Sequence, residues 1–176
     1  MKMKSVIVVA VVLGLLIPAS VRAGDTIEVG SQLPKLRVTW VRNKPKDIEG
    51  KVLIVEFWAT WCPPCRKSIP HLKELQEKYG EKGLVIMGLT SEARGTIVKF
   101  AKKNDMTYAV GLDKKGRLAK DFGVRGIPSA ALVDRSGKVV WKGHPMRLDE
   151  SQIEELLAQK VEAKDKKTKS KWKTKK

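Results

Sequence analysis

Cysteine is nearly absent from this chain: there are two among 176 residues, Cys62 and Cys65. That excludes a disulfide-stapled scaffold, and with 42% hydrophobic residues the chain can bury a core without one. Histidine is as rare, His71 and His144 only. A metal site would need both to join the two thiols. His71 falls six residues past Cys65, on the outward side of a predicted helix, so both histidines read as surface residues and neither metal nor cofactor is expected. Apolar runs are short, too: the longest, Val6 to Ile17, has about 12 residues against the roughly 20 of a membrane-spanning helix. Acid is scarce, with 19 Asp and Glu against 36 Lys and Arg, a formal net charge of +17. No internal repeat is visible. The length suits one domain, at about 100 to 200 residues per domain.

What is present centres on Trp61-Cys62-Pro63-Pro64-Cys65. Two intervening residues let the thiols either stay apart or close into a small reversible ring. Upstream, Val52 to Trp58 is an apolar run with one acid, Glu56, inside it. Downstream, Ile69, Leu72, Leu75 and Tyr79 recur at helical spacing from Pro63 onward. The cysteines thus sit where a strand hands over to a helix. Pro63 keeps Cys62 out of helical geometry and is itself at home in a first turn, which makes Cys62 the N-cap. Its sulfur can accept the Cys65 N–H, and the helix dipole favours a thiolate there.

The stretch Glu56-Phe57-Trp58-Ala59-Thr60-Trp61-Cys62-Pro63-Pro64-Cys65 resembles the active-site strand and turn of the thioredoxin superfamily, most closely its TlpA/ResA-like thiol-disulfide oxidoreductases. Pro70, five residues after the second cysteine, and Gly126-Ile127-Pro128-Ser129, similar to the family's cis-proline loop, extend the likeness over roughly residues 30 to 160. The resemblance implies an α/β, thioredoxin-like fold: a central mixed sheet flanked by helices, with an added central strand and helix. It also implies a redox-active Cys62–Cys65 disulfide, with Cys62 as attacker and Cys65 as resolver. Glu56 would be a buried acid moving a proton to or from Cys65, its pKa raised by burial; the plain alternative is an ion pair with a lysine. Trp61, Pro63, Ile127 and a cis Pro128 would line the place where a substrate chain binds, the Ile127 backbone pairing with it in β fashion. Trp61 alternatively caps the core. Ser68 is a departure, because some members carry a glutamate there.

Residues 1–23 have the plan of a secretory signal peptide: Lys2 and Lys4, the apolar run, Pro18, and small residues up to Ala23. An uncleaved N-terminal anchor is the alternative. Either places the domain, residues 24–160, outside the cytoplasm, in the periplasm or its equivalent. Within it, Leu36, Val38 and Trp40 alternate as an edge strand would, and Leu84 to Leu89 reads as a buried parallel strand. A helix follows over Thr96 to Asn104, then a strand over Met106 to Leu112 and a short helix around Leu118 and Phe122. Ala130 to Trp141 forms a hairpin turning at Ser136-Gly137, and a helix over Ser151 to Val161 closes the domain. Residues 161–176 are a lysine-rich tail expected to be disordered. From Lys160 onward, nine lysines face only Glu162 and Asp165.

The expected partners are protein thiols and disulfides, a membrane electron donor, and an anionic membrane surface met by the tail; nucleic acid is not among them. Peroxidase chemistry fits poorly, because it needs a single peroxide-reactive cysteine in a Thr/Arg pocket. A disulfide oxidase, or a binding module that kept the fold without the chemistry, remains as an alternative. The only donor offered to a Cys62 thiolate is the Cys65 N–H, which favours a reductase, with the apocytochrome c thiols of cytochrome c maturation among the substrates the family implies.

Overall fold

The computed structural model describes residues 26–159, so the leader of residues 1–23 and the tail of 161–176 lie outside the described residues. In chain order the elements are β1 (Thr39–Arg42), β2 (Val52–Phe57), α1 (Pro63–Tyr79), β3 (Leu84–Thr90), α2 (Arg94–Lys103), β4 (Ala109–Leu112), α3 (Arg117–Asp121), β5 (Ser129–Val133), β6 (Val139–Gly143) and α4 (Glu150–Ala158). The sheet order is β1-β4-β3-β2-β5-β6. β2, β3 and β4 run parallel, while β1, β5 and β6 pair antiparallel to their neighbours. Parallel strands buried on both faces need continuous apolar sequence. Every residue of β2 is accordingly buried, Glu56 included.

Alternation along the central strands divides the core in two. Val52, Ile54, Leu84, Ile86, Val110 and Leu132 face α1, α2 and α4. Leu53, Val55, Met87, Leu89 and Ala131 face α3 and the segment before β1, where Leu33, Leu118 and Phe122 close the other side. That N-terminal segment also guards the β6 edge: the Leu33 N–H donates to the Gly137 carbonyl (2.7 Å) and the Val139 N–H to the Ser31 carbonyl (2.9 Å). A covered edge offers no template for further strands.

Several boundaries differ from those the sequence suggests, and three have a visible cause or consequence. The first strand begins at Thr39, so Leu36 and Val38 lie before it, packed on the α3 side of the core. β4 is shorter than Met106 to Leu112 because side chains take its early carbonyls: Asn43 Nδ2 lies 3.0, 2.9 and 3.2 Å from the oxygens of Met106, Thr107 and Tyr108. α4 starts at Glu150, where the Asp149 carboxylate accepts the Ser151 N–H (3.0 Å) as an N-cap. Among the described residues no helix is long and apolar enough to cross a membrane.

Candidate active site

The cysteine pair sits at the C-terminal end of β2, where the strand turns into α1. Cys62 is the N-cap, and Pro63 and Pro64 fill the first two helical positions. A helix start normally leaves several N–H groups without intrahelical partners. Here the Cys62 N–H goes to the Ala59 carbonyl (3.2 Å), the prolines have none, and the Cys65 N–H points at Cys62 Sγ (3.2 Å). One N–H is therefore all that the helix directs at that sulfur. The two cysteines are joined as a disulfide, Cα to Cα 5.3 Å. Cys62 Sγ lies 3.7 Å from the Ile127 carbonyl oxygen, and the Ile127–Pro128 peptide is cis. The loop of residues 126–128 thus stands against the sulfur.

Cys62 is buried, although an attacking sulfur has to be reached by its substrate. It is 3% exposed and Cys65 0%, with the proline loop lying against the Cys62 sulfur. Trp61 carries the exposure instead, at 69%, so it does not cap the core. Pro63 is exposed beside it, Pro128 is buried and Ile127 half-buried. These residues do come together around the disulfide.

Glu56 lies beneath the pair, 1% exposed. Burial pushes its pKa from 4.5 up to about 8, with the Ser68 hydroxyl opposing the rise. Its partner is that serine rather than a lysine: Ser68 Oγ lies 3.0 Å from Glu56 Oε1 and 2.8 Å from the Cys65 carbonyl oxygen. A single hydroxyl proton cannot serve both acceptors. When Glu56 carries a proton the chain completes itself, the carboxyl O–H donating to Ser68 and Ser68 donating to the Cys65 carbonyl. The position that departs from the family pattern is thus wired to the buried acid.

Sequence reasoning missed a second carboxylate. Glu92, just after β3, accepts the Thr60 N–H (2.7 Å) and the Thr60 hydroxyl (2.6 Å), fastening the turn two residues ahead of Cys62. No local pattern signals a contact across 32 residues. The histidines are half-buried, not superficial: His71 Nε2 is enclosed, and His144 Nδ1 accepts the Met146 N–H (3.2 Å). His71 lies on α1 and His144 at the exit of β6. Among the described residues no group of three or more His, Cys, Asp or Glu could hold a metal ion.

The sequence profile of the redoxin family matches residues 28–157. The chain belongs to this family. Among its relatives, the thiol-disulfide oxidoreductase ResA of Bacillus thuringiensis subsp. konkukian is 37% identical over 139 residues, covering 76% of this chain and 79% of that protein. The thioredoxin-like protein YneN of Bacillus subtilis is 30% identical over 137 residues, covering 74% and 79%. Among solved structures, one titled for a thiol:disulfide interchange protein DsbE from Chlorobium tepidum superposes with a TM-score of 0.66 at 29% identity, covering 76% of this chain and 100% of that one. The fold is thioredoxin-like and the redoxin-family chain is a TlpA/ResA-like thiol-disulfide oxidoreductase, with protein thiols or disulfides as its substrate class.

Proposed function

We propose that this oxidoreductase works as a reductase outside the cytoplasm, with Cys62 as the attacking thiolate and Cys65 as the resolving thiol. The observation that carries the direction of electron flow is the supply of donors at Cys62 Sγ: one N–H, from Cys65 at 3.2 Å, with two prolines where two more would stand. A thiolate so modestly stabilised leaves the reduced pair less favoured, which suits giving electrons away. Cys62 Sγ, as a thiolate, attacks a substrate disulfide, and one substrate sulfur leaves as a thiolate. Cys65 then gives its proton to Glu56, attacks Cys62 Sγ and displaces the second substrate sulfur. The substrate ends reduced and the Cys62–Cys65 disulfide is the product.

Supporting the location is the signal-peptide plan of residues 1–23. A compartment without a thiol pool requires a membrane electron donor to recharge the pair, and the lysine-rich tail would hold the domain near an anionic surface. Apocytochrome c, whose cysteines would be returned from disulfide to thiols, is the substrate the family resemblance suggests. Trp61, Pro63, Ile127 and Pro128 would form the docking face, with the half-buried Ile127 backbone pairing to an extended peptide. Equilibration against glutathione, with the pH dependence of Cys62 alkylation, tests the direction. A Cys62 pKa near roughly 7 is expected, whereas a potential near roughly −120 mV would make the protein an oxidase.

A further inference from the structure

Three enclosed polar atoms below the disulfide have no hydrogen-bond partner among the described residues: Glu56 Oε2, Trp58 Nε1 and the Tyr108 hydroxyl oxygen. They belong to one small region. Glu56 and Trp58, two residues apart, project from the same side of the β2 line. Glu56 pairs with Gly88 on β3, and a Cβ at Gly88 would stand 2.9 Å from Trp58 Nε1 and 3.1 Å from Tyr108 Cε2. The indole edge and the phenol ring therefore occupy the room that the missing side chain leaves beside Glu56. On the other flank β5 places Ala130, too short to reach a carboxylate. Glu56, Trp58 and Tyr108 are 1%, 3% and 1% exposed, so bulk solvent does not serve them.

Buried polar groups without partners are rare, and three in one place supply what a single internal water needs: an N–H donor, an acceptor, and a hydroxyl that is both. We propose that Glu56 Oε2, Trp58 Nε1 and the Tyr108 hydroxyl together form an internal water site, through which Trp58 and Tyr108 are positioning residues for the Glu56 proton. The water accepts from the indole N–H and the phenol O–H and donates to Oε2. This rests on Glu56 being the group that takes the Cys65 proton. In that step Cys65 S–H gives its proton to Glu56, the Cys65–Cys62 bond forms as the Cys62–substrate bond breaks, and the substrate thiolate takes its own proton from solvent. Ser68 serves Oε1 of the ionised acid and the water serves Oε2. The groups facing Glu56 are Ser68 and the cysteine pair from α1, Tyr108 from the segment before β4, Gly88 from β3 and Ala130 from β5.

The test is carboxyl carbon-13 NMR on the full oxidised chain, following Glu56 against pH. Tyr108→Phe keeps the ring and Trp58→Phe removes the indole N–H; each is expected to raise the Glu56 midpoint by roughly half a unit to one unit, because an acceptor of the ionised form loses its donor. The Trp58 indole N–H should also show a nuclear Overhauser contact to a long-lived water, lost in Tyr108→Phe. Gly88→Ala, which crowds both rings without deleting a polar group, should move the same midpoint. Folded variants with an unmoved midpoint and an unchanged water contact would overturn the proposal. The relay itself fails separately, if Glu56→Gln leaves the pH profile of mixed-disulfide resolution as it was.

Discussion

Glu56 holds its proton more tightly in the folded chain than in the unfolded one, since burial lifts its pKa from 4.5 to about 8. Between those values the folded state binds the extra proton, so stability falls as pH rises. The contribution is complete below about pH 4.5 and gone above about pH 8, a loss on the order of 5 kcal/mol. Glu56→Gln keeps the shape and removes the charge, and its urea midpoint should stay level from about pH 5 to pH 9 while that of the parent declines. Parallel declines would assign the loss to other groups. At the sulfurs, Cys62→Ser should abolish exchange and Cys65→Ser should accumulate a mixed disulfide visible by mass spectrometry, because only Cys62 sits at the N-cap. Accumulation with Cys62→Ser instead would reverse the roles.

At the scale of elements, one side chain ties the closing helix to the rest. Arg135, in the turn between β5 and β6, donates to the Leu156 (3.3 Å) and Leu157 (2.8 Å) carbonyls at the end of α4, and to Gly50 (3.1 Å) and Lys82 (3.4 Å). The last carbonyls of a helix have no partner of their own, so this guanidinium is their cap. Arg135→Ala should cost roughly 2 kcal/mol by urea denaturation, and Arg135→Lys should recover less than half, since an ammonium cannot serve that fan of acceptors. A neutral Arg135→Ala would show that the contacts are incidental. The elements themselves were largely legible: the 3.6-residue spacing from Ile69 to Tyr79, the apolar run of β2, and Ser136-Gly137 at the hairpin all act over a few residues. Arg135, Ser68, Glu92 and Tyr108 were not, because their roles arise only when distant segments meet. Cys62 was legible as an N-cap but not as buried, since its cover comes from Ile127, 65 residues away.

For the molecule as a whole, charge is unevenly placed along the chain. Without residues 1–23 the net would be +14, and the nine lysines from Lys160 onward, set against Glu162 and Asp165, hold half of it. Lysines near an anionic surface are worth about 1 kcal/mol each, so this charge would be felt wherever such a surface is met. Trp172, in the same stretch, would serve as an interfacial anchor in that case. If the tail holds the domain near its electron donor, the full chain should sediment with vesicles containing about a third anionic lipid at low salt and be released as the Debye length shrinks toward roughly 3 Å near 1 M. A chain ending at residue 159 should stay in solution throughout while keeping its activity toward a soluble disulfide, because the cysteine pair and its supports lie within residues 26–159. Equal sedimentation of the two chains would move the membrane contact to the domain itself and leave the lysines as a solubilising end.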